Sequence, residues 1–235
     1  MTPKDVLERS PVRLFERAIG GGLGPGNVGV VLSRHGVGKT SFLVGLAIDH
    51  MLHGRNVLHI STKESVEHLR GFYDELFHAL AAQLRLDDIP NRQLEAERHR
   101  HILAYNRDYF TLEKLEESVA FLREAAGFDP HLVIMDGTPR FEHTEEWEME
   151  GVRRLARAWQ AEVWASGHTH REGQETDARG IPEAVARFDP LLDVVVALEP
   201  DSDRIRLRIL KDHDREVVAN VHLELDANTR LLRWS

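Results

Sequence analysis

The sequence predicts an α/β protein: a mostly parallel twisted sheet flanked by helices, with an antiparallel β extension at its C-terminal end. Three observations carry this. Short apolar runs alternate with amphipathic helical stretches up to about residue 190. Beyond that point, alternating segments flank the turn signal Pro200-Asp201-Ser202-Asp203 and read as a hairpin. Near the start, the stretch SRHGVGKTS (33–41) sits between the apolar runs GVVL and FLVGLA, the strand–loop–helix context of a phosphate-binding loop.

The elements follow in order. The opening segment ends in GGGLGPGNV (20–28), which is too rich in turn formers to be helix or inner strand. Residues 27–33 read as a buried strand and 40–52 as a helix closed by Gly54. NVLHIS (56–61) is a second strand, and the helix after it, about 65–84, puts Val66, Leu69, Tyr73, Leu76, Phe77, Leu80 and Leu84 on one face. Residues 91–100 form a short exposed helix, 101–105 a strand, 111–125 an amphipathic helix and 131–136 a strand ending in Asp136. A helix over about 145–160 has acids in its first turn and arginines later, as the helix dipole favours, and a strand over 161–167 follows it. The loop 171–180 is polar, 191–199 and 204–211 make the hairpin, and 217–226 and 230–234 alternate like antiparallel strands. No internal repeat or linker interrupts the chain, so residues 1–235 read as one domain with its core at about 15–220.

Composition narrows the function. The chain has 235 residues, a formal net charge of −9 and no cysteine. Disulfides, thiolate metal sites and thiol nucleophiles are excluded, and a cytoplasmic setting is expected. No apolar leader or run of about 18 apolar residues occurs, so no membrane association is expected. The negative balance argues against uniform coating of nucleic acid, although a local basic loop remains compatible with it.

The loop 33–41 carries the chemistry. Gly36 and Gly38 let the backbone approach phosphates, with His35, Val37 and Ser41 completing the cradle around them. Lys39 would neutralise the β- and γ-phosphates, and Thr40 would offer its hydroxyl to Mg²⁺. Asp136, at the end of a neighbouring strand, would hold the same ion through water. The first position of the G-x-x-x-x-G-K-[ST] pattern is Ser33 rather than glycine.

AIGGGLGPGNVGVVLSRHGVGKTSFLVGLA resembles the start of RecA-superfamily ATPases of the KaiC and RadA group. VLHISTKES falls where that group has a strand and then two glutamates. HLVIMDG falls at its magnesium-site strand, GHTHREG (167–173) is similar to the RadA stretch GHVTKEG, and LRILKDHDRE (207–216) matches a lysine-bearing strand end. The resemblance implies a single-domain RecA-like relative that binds ATP and Mg²⁺. It also implies a ring, such as a hexamer, or a filament with nucleotide between subunits, and an unidentified protein partner. It places His168 as a γ-phosphate sensor and Lys211 as a group acting on the neighbouring subunit. His213 stands where an arginine is often found, leaving Arg215 as the nearest candidate.

In that family the first glutamate after the second strand activates the attacking water. Here Lys63 stands at that position and Glu64 follows it. An ammonium has no acceptor with which to take a proton, so Glu64 is the remaining candidate and hydrolysis is expected to be slow. Ser61-x-x-Glu64 also fits a capping box, a structural use of the same glutamate. Two alternatives stay open: a nucleotide-binding regulatory or scaffold protein without hydrolysis, and a recombination accessory protein that binds single-stranded DNA through Arg171, Arg179 and Arg187. Against the second, Phe188 is the sole aromatic residue there able to stack on bases. GHTH also resembles a metallophosphoesterase histidine motif, but the other ligands of such a site are missing from the sequence.

Overall fold

The computed structural model describes residues 10–169, 175–201, 204–215, 217, 222–226 and 228–234. Its centre is a sheet in the order β3-β2-β4-β5-β1-β6-β7-β8-β9. The strands are β1 (Val28–Ser33), β2 (Val57–Ser61), β3 (Arg100–Ala104), β4 (Leu132–Asp136), β5 (Glu162–His168), β6 (Val194–Asp201), β7 (Arg204–Asp212), β8 (Leu223–Leu225) and β9 (Leu232–Trp234). From β3 to β6 every neighbouring pair is parallel, and from β6 to β9 every pair is antiparallel.

Seven helices among the described residues cover the sheet: α1 (Pro11–Ala18), α2 (Lys39–Leu52), α3 (Val66–Leu84), α4 (Ile89–Glu97), α5 (Leu112–Ala126), α6 (Glu146–Trp159) and the short α7 (Glu183–Ala186). Strand side chains alternate between faces, so each inner strand feeds two cores. Val31 joins Phe42, Phe77 and Leu80 under α1–α4, while Val30 and Leu32 join Val119, Met149 and Val152 under α5 and α6. Because both faces are covered, the inner parallel strands are buried along nearly all their length; all six residues of β1 are buried. α2 is buried on nearly every side, which is why its sequence shows little amphipathic contrast.

Several elements depart from the sequence reading. α1 occupies a stretch in which no helix was expected. Pro11 starts it, and Val12, Phe15 and Ile19 turn one face into the core. Ser10 Oγ donates to Asp49 Oδ1 at 2.6 Å, and Arg13 pairs with Asp49 at 2.8 Å, tying α1 to α2. β8 and β9 are shorter than the expected strands; residues 218–221 of the first lie outside the described residues. Leu191, expected to open a strand, instead ends a 3₁₀ turn (Asp189–Leu191), and β6 begins at Val194. Of the expected loop 171–180, residues 171–174 lie outside the described residues, and beyond it Glu183–Ala186 is helical.

One packing feature positions the glycine-bearing loop between β1 and α2. Gly29 of β1 lies opposite Trp164 of β5, and the indole covers the space where a side chain would stand. Phe15 and Phe42 hold that ring, with centroids 5.9 and 5.8 Å away. The loop therefore leaves a strand clamped from below by an aromatic cluster. None of the described helices is long and apolar enough to cross a membrane.

Candidate functional site

Parallel strands bring their C-terminal ends to one edge, and the crevice outside that edge is where open α/β sheets place ligands. Here the ends of β1, β2, β4 and β5 supply Ser33, Ser61, Asp136 and His168. Ser33 is in register with His168 and Ser61 with Asp136. The cleft above them has a volume of about 450 Å³ and includes His35, Gly36, Val37, Gly38, Lys39, Thr40 and Ser41 in its wall. The structure thus brings together the loop residues singled out in the sequence.

The loop's local geometry explains its glycines. Gly36 and Gly38 have φ of 78° and 121°, a region that side-chain-bearing residues rarely adopt. A Cβ on Gly38 would also lie 2.4 Å from Leu225 Cδ2 of β8. Ser33 has no such requirement: its φ is not positive, and its hydroxyl donates to Arg34 O at 2.9 Å. A serine is therefore tolerated where the motif has glycine.

Lys39 is 5% exposed. Its ammonium donates to Ser33 O at 2.7 Å, Ser33 Oγ at 3.1 Å and Arg34 O at 3.1 Å, and stands 3.5 Å from His168 Nδ1. Burial, and then the nearby Lys63 ammonium, push its pKa down to about 8 against the opposing pull of Asp136. His168 is held below the ordinary imidazole value by burial and by Lys39 and Lys63. Its ring stacks on His35 at 6.1 Å.

Asp136 is fully buried, and Thr40 Oγ1 donates to its Oδ2 at 2.9 Å. This bond joins the first turn of α2 to the end of β4 across β5. The side chain of Lys63 meets the same pair. Its Nζ donates to Thr40 Oγ1 at 2.9 Å and forms an ion pair with Asp136 Oδ1 at 3.0 Å. Mg²⁺ requires near-octahedral oxygen ligands at about 2.0–2.1 Å, including several waters. With an ammonium already on both oxygens, the residues present do not fit a divalent ion in that place.

Glu64 lines the cleft with a half-exposed carboxylate, 3.7 Å from His68 Nε2. The capping box expected at Ser61 is not formed as such. Ser61 Oγ accepts from Lys63 N and Glu64 N at 3.2 and 2.9 Å, and the cap of α3 is Ser65, whose Oγ accepts from His68 N. Asp226, the other carboxylate lining the cleft, is engaged by Thr229 N at 2.8 Å and by Arg233 at 2.8 Å. Phe72, Ile205 and Leu225 give the far end of the cleft an apolar wall, and Arg230 lies over the Phe72 ring at 5.4 Å. Sequence reading missed this wall, since it joins α3 to β7 and β8.

The remaining candidates lie elsewhere. Lys211 pairs across the sheet with Val195, level with Val30, so it sits about 10 Å below the loop along the strand direction. Its ammonium contacts Asp189 O at 2.7 Å and Asp189 Oδ2 at 3.1 Å. Arg215 lies at the opposite edge of the sheet from the loop, with its guanidinium over Gly20. His213 bridges Asp212 and Leu23 O at 2.7 and 3.0 Å. Arg179 pairs with Asp177 and Asp189, each at 2.7 Å, and Arg187 donates to Phe141 O at 2.7 Å. Arg171 and His170 lie outside the described residues. No group of three or more metal-ligating side chains occurs among the described residues.

Comparison with protein-family models and with curated proteins finds no match to this chain.

Proposed function

We propose that this chain is a RecA-like nucleotide-binding protein that takes a nucleoside triphosphate, ATP by the resemblance to the KaiC and RadA group, and turns it over slowly. The observation that carries the reading is the loop between β1 and α2. It has two glycines at positive φ, a nearly buried Lys39 bonded to the loop's own carbonyls, and Thr40 tied to Asp136. A triphosphate would replace the carbonyls as the partner of Lys39, and the α2 N-terminus would add its partial positive charge. The apolar wall around Phe72 suits a base ring.

Slow turnover follows from the residues around the terminal phosphate. Lys63 cannot accept a proton from water. Asp136 is occupied by Thr40 and Lys63, and Asp226 by its own turn. Glu64 is left to orient or deprotonate the attacking water, and nothing within hydrogen-bonding distance holds its carboxylate in place among the described residues. His168, next to Lys39, is suited to sense the γ-phosphate. Neither Lys211 nor Arg215 reaches its own loop, so any part they play falls on a neighbouring subunit in a ring or filament. The internal engagement of Arg179 and Arg187 speaks against a nucleic-acid role for that loop.

Binding of a fluorescent ATP analogue tests the reading. Wild-type protein binds it, and Lys39→Ala weakens binding by at least about tenfold, the loss of one charge-assisted contact. Phosphate release is slow and falls further in Glu64→Gln. Failure of the wild-type protein to bind any nucleoside triphosphate overturns the proposal, and brisk turnover unchanged in Glu64→Gln removes Glu64 from it.

A further inference from the structure

We infer that Lys63 is a built-in counter-ion that takes the place of Mg²⁺, so that this chain binds its nucleotide as the metal-free polyphosphate. This rests on the nucleotide-binding reading and assigns the ionic form of the ligand.

Three observations converge on Lys63. Its Nζ contacts both Thr40 Oγ1 and Asp136 Oδ1, the hydroxyl and carboxylate between which a divalent ion would lie. Asp136 Oδ1 is buried and has no hydrogen-bond donor; among the described residues, the Lys63 ammonium is the cation paired with it. The backbone is also shaped around the lysine. Gly137 has φ of 89°, and a Cβ there would meet Thr62 Oγ1 at 2.8 Å and the Lys63 stem at 3.4–3.5 Å. From the other side, Ser61 Oγ accepts the N–H of Lys63 and fixes where the side chain starts.

The electrostatics fit this exchange. A P-loop lysine and a magnesium ion together bring three positive charges to a triphosphate, whereas Lys39 and Lys63 bring two on covalent tethers. Two ammonium groups already face the same space, and a divalent ion added beside them would be repelled at short range. The polyphosphate removes that repulsion by lying between the two cations. An ammonium neutralises charge but does not present ordered water or draw electrons from a bridging oxygen as a metal does. The same substitution therefore favours tight holding over cleavage.

The test measures binding, independently of turnover. A fluorescent ATP analogue is titrated into wild type, Lys63→Ala and Lys63→Arg, each with excess Mg²⁺ and with EDTA, after circular dichroism shows that each variant is folded. Expected for wild type and Lys63→Arg is an affinity in EDTA within about threefold of that in Mg²⁺. Lys63→Ala should bind at least about tenfold more weakly in EDTA and recover when Mg²⁺ is added, because the vacated oxygens can then take the ion. Wild-type binding that collapses in EDTA overturns the inference, as does metal-independent binding retained in Lys63→Ala. Absence of wild-type binding in both buffers is a different result: it overturns the nucleotide reading itself.

Discussion

Replacing Gly29 by alanine places one methyl group against the face of Trp164. The added carbon would stand 2.7, 2.8 and 2.9 Å from three ring atoms, where ordinary contact begins at about 3.4 Å. The ring cannot slide away, because Trp164 is 2% exposed and the fully buried Phe15 and Phe42 pack against it. Overpacking of this kind costs about 1–3 kcal/mol, and the rigidity of the cluster argues for the middle, about 2 kcal/mol. With a urea slope of about 2.5 kcal/mol/M for a chain of this size, the unfolding midpoint drops by about 0.8 M. Equilibrium urea unfolding followed by tryptophan fluorescence and circular dichroism measures this directly. In a Trp164→Leu background the same alanine should cost less than about 0.5 kcal/mol, since the obstructing ring is gone. A Gly29→Ala protein as stable as wild type, or an equal cost in both backgrounds, refutes the claim that the indole dictates glycine in β1.

Three further outcomes are expected. His59 is fully buried against Tyr73, and burial holds its pKa near 4; the unfolded chain then binds the extra proton below about pH 6.5, so stability falls as pH drops from 6.5 toward 4. Between pH 7 and 5 this amounts to about 2 kcal/mol, and a His59→Leu/Tyr73→Phe protein should lose that part of the pH dependence in urea titrations. Ser33→Gly should leave nucleotide affinity within about threefold of wild type, because Ser33 is not part of the cleft wall and its hydroxyl donates to Arg34 O; a drop beyond about tenfold would give the serine hydroxyl a direct part in binding. Lys39→Ala and Lys211→Ala subunits, each without turnover alone, should recover some on mixing if Lys211 acts on a neighbour's nucleotide, and no recovery would remove it from that role.

Much of this architecture was legible in the chain. The alternation of apolar runs and amphipathic stretches located the parallel strands, and GVGKT located the loop, because both signals are local. The misplacements come from competing local signals. Ser61 and Ser65 both resemble helix caps, and only the structure shows Ser61 spent on the N–H groups of residues 63 and 64. α1 is only eight residues long and runs into the glycine-rich turn, which masks the helical spacing of Val12, Phe15 and Ile19; contacts with Asp49 and Trp164 then seat it. The sequence showed Lys63 where the resemblance to the KaiC and RadA group implies a glutamate. That its ammonium would lodge between Thr40 and Asp136 depends on β2 pairing with β4, and Ser61 facing Asp136 is a long-range fact. The apolar wall of the cleft was hidden for the same reason.

Leu225, packed against Gly38, bears on how the site comes into being. The first wall of the cleft is made near the beginning of the chain and the last near its end, so the cleft closes only when β8 docks on the loop between β1 and α2. β8 follows the last parallel strand in the chain, and non-local closure of this kind is the slow part of assembly. The cleft is therefore complete only once β7 and β8 have joined the sheet, and its closure marks their docking.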